Sequence, residues 1–167
     1  NFMVNEYENA KEKGCVIAYD CRRGSIEFSK AAAQVLATNG MKVYLFTALR
    51  PTPELSFAVR HLKCAGGIMI TASHNPPQYN GYKVYDDEGC QLIPHLADAV
   101  TKEVNSVTDM FNIEVRPYEE LVKEGKILEI NSLVDVPYLD AVKTIPVNKV
   151  KKDNIKLVYT PLHGTGT

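Results

Sequence analysis

The class of fold is decided by residues 15–46, CVIAYDCRRGSIEFSKAAAQVLATNGMKVYLF. The run CVIAY at Cys15–Tyr19 is short and apolar, which predicts a buried strand. Apolar residues then recur over 28–36 at the spacing of one helix face, and Gly40 supplies a left-handed stop. Residues 42–46 predict the next strand. The segment therefore predicts a strand–helix–strand unit.

The following stretch repeats this cycle. An apolar stripe from Leu55 to Leu62 predicts a second helix, and residues 68–71 predict a third strand after Gly66-Gly67 breaks that helix. Strands that alternate with helices across short connections form parallel sheets covered on both faces. The expected fold class is therefore α/β, in three layers α/β/α.

Later segments add a hairpin and further helices. Tyr82–Tyr85 and residues 91–93, joined through a turn at Gly89, predict a hairpin that gives the sheet one antiparallel strand. The sheet is therefore expected to be mixed but mostly parallel. Weaker signals predict helices over residues 96–107, 118–124 and 136–144.

Composition argues against several classes of protein. The 167 residues are 45% hydrophobic and 23% charged with a formal net charge of −1, which is typical of a globular domain and gives no overall attraction to nucleic acid or anionic membranes. No apolar run approaches the roughly 20 residues that span a bilayer. The four cysteines are irregularly spaced without a C-x-x-C pair, which argues against a disulfide framework or zinc site and favours a reducing, cytoplasmic location.

The unusual feature is the loop after the third strand, TASHNPPQYNG at residues 71–81. Loops that leave the carboxyl ends of parallel strands line the usual ligand crevice, so this loop should meet those at 20–24 and 47–51. Together they would place a serine, a histidine and an asparagine beside several cations. The side chains in question are Ser73, His74, Asn75, Arg22, Arg23, Arg50 and Lys83.

This combination of side chains favours phosphoryl transfer. A serine hydroxyl is a weak nucleophile unless it is activated, and the planar fork of arginine suits phosphate. The sequence contains neither a G-x-S-x-G elbow for acyl transfer nor a Walker P-loop. Because Arg22 and Arg23 are neighbours on extended backbone, at most one should face Ser73, and Arg23 is the candidate.

Ordinary structural roles compete with these assignments. By residue type alone, Ser73 is a turn residue and Lys83 is a charge that blunts a strand edge. For His74, orienting the loop by hydrogen bonding and direct catalysis stay equally open. The acidic run at 86–88 predicts a hairpin turn completed by Gly89 and not a metal site.

Several segments carry a resemblance to a known family. Residues 71–76, TASHNP, followed by YNGYK at 79–83, resemble the phosphoserine loop of the α-D-phosphohexomutase superfamily, which includes phosphoglucomutases and phosphomannomutases. Residues 18–25 and 50–60 resemble other parts of that superfamily's N-terminal phosphoserine domain, and residues 160–166 resemble the opening of its second domain. The order is kept over most of the chain, which makes the resemblance specific.

The resemblance implies a mechanism and a set of roles. It implies a fragment of a phosphosugar mutase that interconverts hexose 1-phosphate and 6-phosphate through a phosphoserine and a bisphosphate intermediate, with glucose 1,6-bisphosphate as activator. Ser73 would carry the phosphoryl group and, through its phosphate, bind Mg²⁺, whose remaining ligands belong to the missing second domain. His74 and Lys83 would transfer protons or stabilise charge, and Arg23 and Asn75 would bind phosphate or substrate.

The resemblance also implies a division of the chain. Residues 1–150 would be the first domain without its N-terminal part, as the start at Asn1 instead of Met also indicates. Residues 151–167 would be a linker, a strand at 155–159 and the first loop of a truncated second domain. The family's metal loop and sugar-recognition loop match nothing in the sequence, so we expect the isolated chain to be inactive.

Other functions stay open from the sequence. A non-catalytic sugar-phosphate-binding relative, a phosphopentomutase-type member or a phosphatase with a serine intermediate would share the loop. Tyr79 before Asn80 is more similar to the glucose, mannose and pentose branches than to the glucosamine branch. We expect a sugar phosphate as partner, and neither nucleic acid nor membrane, while the oligomeric state stays open.

Overall fold

The computed structural model describes residues 1–146, 154 and 156–160, and its centre is a five-stranded sheet. The strands are β1 (Cys15–Tyr19), β2 (Val43–Phe46), β3 (Gly66–Ile70), β4 (Tyr82–Tyr85) and β5 (Ile127–Ile130). Their order across the sheet is β4-β3-β1-β2-β5, with β4 antiparallel to β3 and the other pairs parallel. The predicted mixed, mostly parallel sheet is confirmed.

Helices cover both faces of this sheet, which confirms the predicted three layers. They are α1 (Phe2–Glu6), α2 (Ala10–Lys13), α3 (Ser25–Thr38), α4 (Thr52–His61), α5 (Pro94–Asn105), α6 (Tyr118–Lys123) and α7 (Ser132–Lys143), with a 3₁₀ turn at Met110–Asn112. On one face α3 and α6 pack over Ile17 and Leu45, and on the other α4 and α7 pack over Val16 and Phe46. Because side chains alternate along a strand, β1 is buried on both faces and its sequence is apolar throughout.

Two glycines have a different role from the one predicted. Gly66 and Gly67 do not break the second helix, which already ends at His61, but form the start of β3. A Cβ on Gly66 would lie 2.6 Å from the backbone oxygen of Tyr85, and one on Gly67 would lie 2.7 Å from Cγ2 of Val59. The glycines therefore allow β4 and α4 to approach β3 closely.

The structure differs most from the sequence predictions in the second half of the chain. The sequence did not predict β5, which pairs in parallel with β2 and completes one edge of the sheet. The predicted hairpin forms only in part, because its second arm makes a single bridge between Tyr85 and Gln91. Strand β4 instead obtains its pairing from β3, with which it shares four residue pairs.

The last described residues add no regular element. Residues 156–160 form neither helix nor strand, so the strand predicted over 155–159 is not found in its described part, where Val158 is 95% exposed. The rest of the predicted linker and of the glycine-rich segment lies outside the described residues. Within the part of the chain that the structure describes, no helix has the length and apolarity needed to cross a membrane.

The chain path marks one place on the sheet where ligands bind in folds of this kind. From β1 the chain moves to β2 on one side and then returns to β3 on the other side of β1. The loops that leave β1 and β3 therefore diverge at the carboxyl edge, and this reversal of strand order creates a crevice. The serine loop leaves β3 at this edge.

Candidate functional site

Ser73 lies at the first turn of the loop that leaves β3. Its backbone has φ 54°, in the left-handed region that residues other than glycine rarely adopt, and its N–H donates to Oγ1 of Thr71 at 3.0 Å. The side chain is exposed, and its Oγ lies 3.3 Å from Nδ1 of His74, so either atom can donate according to the histidine tautomer. The structure therefore brings the predicted serine and histidine together at the surface of the crevice.

Arg22, from the loop after β1, holds this serine loop across the reversal point. Its Nη1 donates to the backbone oxygens of Pro76 at 2.9 Å and Tyr79 at 2.8 Å. Its Nη2 donates to the backbone oxygens of Ser73 at 2.8 Å and Asn75 at 2.6 Å. The sequence placed Arg22 among the cations available near Ser73, but its guanidinium is occupied by the backbone of the loop.

A polar cluster beneath the loop was not identified from the sequence. The Oδ2 of Asp20 accepts a hydrogen bond from Oγ1 of Thr71 at 2.5 Å, and its Oδ1 accepts from the backbone N–H of Arg22 at 3.1 Å and from Oγ of Ser25 at 3.3 Å. Asn80 donates to that Ser25 oxygen at 2.9 Å from the far end of the serine loop. The one sequence signal for this cluster is an aspartate directly after a buried strand, where a free carboxylate needs partners.

The other predicted residues occupy different positions around the serine. Arg23 is exposed, and its guanidinium has no hydrogen bond or ion pair with any described residue. Lys83 is half-buried on β4, paired with Met69 near the carboxyl end of β3, and its ammonium is likewise without a described partner. Asn75 is exposed, and its contacts with described residues come from its backbone. Arg23 and Lys83 are thus the cations that stay available to an anion.

Arg50 is not available in this way, contrary to the convergence predicted from the sequence. Its Nε and Nη2 donate to the two carboxylate oxygens of Asp135 on α7, at 2.8 and 2.6 Å. Glu54 is buried beside this pair, with Oε1 3.7 Å from Nε of Arg50. Burial and a hydrogen bond with Asp135 raise the pKa of Glu54 to about 7, whereas the hydrogen bond from Arg50 lowers the pKa of Asp135.

The described residues offer little for a metal ion. No group of three or more His, Cys, Asp or Glu side chains within residues 1–146, 154 and 156–160 could hold one. The carboxylate of Asp20, which contacts the serine loop at Thr71, also binds Ser25 and the backbone of Arg22. The hydroxyl of Ser73 is exposed and is not engaged by any carboxylate of the described residues.

Comparison with known proteins extends this description. The family model for "Phosphoglucomutase/phosphomannomutase, alpha/beta/alpha domain I" matches residues 2–110. A phosphoglucomutase of Staphylococcus saprophyticus is 41% identical over 157 residues, which are 94% of this chain and 28% of that protein. A phosphoglucomutase of Staphylococcus haemolyticus is 37% identical over 166 residues, or 99% of this chain and 29% of that protein.

A solved structure agrees with these sequence relatives. The crystal structure of a Thermus thermophilus protein, provisionally named a phosphomannomutase, superposes with a TM-score of 0.61 and 35% identity over 78% of this chain and 26% of its own. The chain therefore spans less than a third of the length of the relatives it matches. With its serine loop at the reversal point of the sheet and the family model matched over residues 2–110, the chain belongs to the phosphoglucomutase/phosphomannomutase family.

Proposed function

We propose that this chain supplies the phosphoserine domain of a phosphosugar mutase that interconverts hexose 1-phosphate and hexose 6-phosphate. One observation carries the proposal: the exposed hydroxyl of Ser73 is held at the carboxyl edge of the sheet by a loop whose backbone is fixed through Arg22. Relatives named phosphoglucomutase support the same activity for the full-length parent. An intramolecular phosphotransferase needs such a fixed carrier, because phosphoryl transfer depends mainly on positioning and charge stabilisation.

The proposed reaction moves one phosphoryl group away from the serine and another back to it. The bond between phosphorus and Oγ of Ser73 breaks while a bond forms between phosphorus and a sugar hydroxyl oxygen. That hydroxyl gives up its proton, and the serine oxygen takes one. In the return step, the bond between the other phosphorus of the resulting bisphosphate and its sugar oxygen breaks while a bond forms to Oγ of Ser73. The serine hydroxyl gives up its proton and the sugar oxygen takes one, which leaves the isomerised monophosphate.

The neighbouring side chains suit the proton and charge changes of this reaction. His74, whose Nδ1 is 3.3 Å from the serine oxygen, can give or take the proton at that atom. Lys83 and Arg23 can stabilise the phosphoryl charge, because both cations are without partners among the described residues. Asn75, exposed in the serine loop two residues after Ser73, is proposed to contact the phosphate or the sugar.

We propose Mg²⁺ as the cofactor and glucose 1,6-bisphosphate as the activator. When bound, Mg²⁺ would neutralise charge on the phosphoryl group of Ser73, whose oxygens are the ligands this chain can supply. The remaining ligands would come from parts of the parent beyond this chain. We further propose a cytoplasmic location, because the exposed thiols of Cys21 and Cys90 suit a reducing compartment.

Phosphopeptide mapping of the full-length parent tests the proposal. The parent is incubated with Mg²⁺ and glucose 1,6-bisphosphate and digested, beside a Ser73→Ala control. We expect phosphate on Ser73, and its loss when hexose monophosphate is added should yield isomerised sugar phosphate. Release of inorganic phosphate instead would indicate a phosphatase. An unmodified Ser73 in folded, Mg²⁺-containing parent would contradict the carrier role.

A further inference from the structure

The guanidinium of Arg22 uses four of its five N–H donors for hydrogen bonds within the protein. An arginine side chain has five N–H donors in a fixed plane. Four of them meet the backbone oxygens of Ser73, Asn75, Pro76 and Tyr79. The fifth donor atom, Nε, lies 3.6 Å from Oδ2 of Asp20, and the side chain is only 12% exposed. A phosphate could therefore bind Arg22 only by displacing the loop.

These contacts bear directly on the conformation of the serine. The Arg22 guanidinium donates hydrogen bonds to backbone oxygens at both ends and in the middle of the segment 73–79, which contains the two prolines. Ser73 itself has a left-handed backbone, which is unfavourable for a residue with a Cβ. Such a conformation persists where surrounding contacts determine it, and here Arg22 binds the carbonyl of Ser73 while Thr71 binds its N–H.

We propose that Arg22 is a positioning residue for phosphoryl transfer, which fixes the direction of the Ser73 Oγ without touching the phosphate. Asp20 acts with it, because its carboxylate faces Nε of Arg22 and binds Thr71, the residue that receives the N–H of Ser73. The proposal rests on the proposed function, since it concerns the carrier serine of that reaction. The two neighbouring arginines then have different roles. Arg22 holds the conformation of the loop, and Arg23 stays available to bind the ligand.

Lysine should be unable to replace Arg22 in this role. Its ammonium has three donors on one atom, whereas the four backbone oxygens here are reached by two nitrogens of a rigid fork. A lysine would keep the charge beside Asp20 and lose most of the geometry. Arg22→Lys therefore separates positioning from electrostatics.

The test compares the full-length parent with Arg22→Lys and with a matched control, Arg116→Lys. Arg116 also makes several guanidinium bonds, but to the exposed carboxylates of Glu120 on α6 and of Glu124 directly after it. Each protein is phosphorylated on Ser73 and mixed with hexose monophosphate, and the single-turnover rate of phosphoryl transfer is measured. Steady-state kcat, KM and the thermal midpoint are measured on the same preparations.

We expect Arg22→Lys to lower the single-turnover rate and kcat by about 100-fold, with KM and the phosphorylated fraction of the protein nearly unchanged. A loss of this size corresponds to a displacement of the reacting serine oxygen by about 1 Å. Arg116→Lys should keep the parent's values. A transfer rate of Arg22→Lys equal to the parent's, or a loss confined to KM, would overturn the proposal. Failure of the mutase hypothesis itself would give a different result. Ser73 would then carry no phosphate even in the parent without substitutions.

A second variant covers the case in which Arg22→Lys does not fold. Asp20→Asn keeps the shape of the side chain but removes the charge that faces Arg22. We expect it to lower the single-turnover rate by about 10-fold with KM unchanged, while the phosphoserine still forms. A folded Asp20→Asn protein with an unaltered transfer rate would contradict the role of this pair.

Discussion

At the scale of single residues, Ser73 combines an unfavourable backbone conformation with the proposed role of phosphate carrier. A left-handed backbone at a residue with a Cβ is tolerated here because Thr71 binds its N–H and Arg22 binds its carbonyl. Glycine would adopt the same backbone without that cost, but it has no hydroxyl to carry a phosphate. The serine is thus a position where the proposed chemistry and the local conformational preference disagree.

This conflict predicts an order of stability for two substitutions. Ser73→Gly should be more stable than Ser73→Ala by about 1 kcal/mol, because only alanine retains the left-handed strain. Urea denaturation of the chain measures the difference. Ser106, with φ −77° at the end of α5, is a matched control where alanine should be the more stable substitution. Equal stabilities of the Ser73 pair would indicate that the loop relaxes and that no strain is stored.

The buried carboxyl of Glu54 predicts a pH dependence of stability. Its pKa is raised to about 7 in the folded protein, so between pH 4.5 and 7 the folded chain holds a proton that the unfolded chain has released. The stability contributed by Glu54 is therefore full below about pH 4.5 and is lost as the pH rises to about 7, at no more than roughly 1.4 kcal/mol per pH unit.

Glu54→Gln should remove this dependence. We expect the free energy of unfolding of the variant to stay level where that of the unmodified chain falls, and the exposed control Glu88→Gln to follow the unmodified chain. The titration of Asp135 does not interfere with this comparison. Because its pKa is lowered, the dependence of stability on its protonation falls at more acidic pH. A parallel decline of the Glu54→Gln curve would show that another group titrates in this window.

At the scale of elements, the contact between α4 and β3 depends on the absence of a side chain at Gly67. A Cβ there would lie 2.7 Å from Cγ2 of Val59 and 3.3 Å from Cδ1 of Leu55, both buried. Since the serine loop continues from β3, the close packing of this strand also fixes the base of the proposed site. Packing and site geometry are coupled through one strand.

Gly67→Ala should therefore destabilise the chain by about 1–3 kcal/mol through overpacking. Val59→Ala removes the atom that the new methyl group would meet. We expect the double variant to lose less than the sum of the two single losses, which a double-mutant cycle in urea measures. Strict additivity would mean that the methyl group finds room elsewhere.

At the scale of the whole molecule, the chain holds the proposed carrier but little else of an active site. It covers 28% of a phosphoglucomutase to which it is 41% identical, and its described residues contain no group of three or more acidic, His or Cys side chains that could hold a metal. The exposed Ser73 and Arg23 and the half-buried Lys83 would need other parts of the parent to complete a site around them. The whole protein is therefore needed for turnover in the proposed mechanism.

We accordingly expect the isolated 167-residue chain to convert no glucose 1-phosphate, even with Mg²⁺ and glucose 1,6-bisphosphate present. The reason is that Ser73 would lack partners for the sugar and for the metal. A coupled assay for glucose 6-phosphate, with the full-length parent as positive control, measures the activity. Turnover by the chain alone would refute the expectation and require a complete site within it.

The sequence by itself determined the layered α/β fold and the serine loop, because strand and helix periodicities and turn residues are local signals. It missed β5, whose four residues ILEI become a strand only through pairing with β2. It also placed Arg22 and Arg50 among the cations that converge near Ser73, whereas in the structure Arg22 binds the backbone of the serine loop and Arg50 binds Asp135. Only the tertiary structure decided their roles, because an arginine's partners depend on which carbonyls and carboxylates the fold brings within reach, and the partner of Arg50 at Asp135 lies 85 positions away.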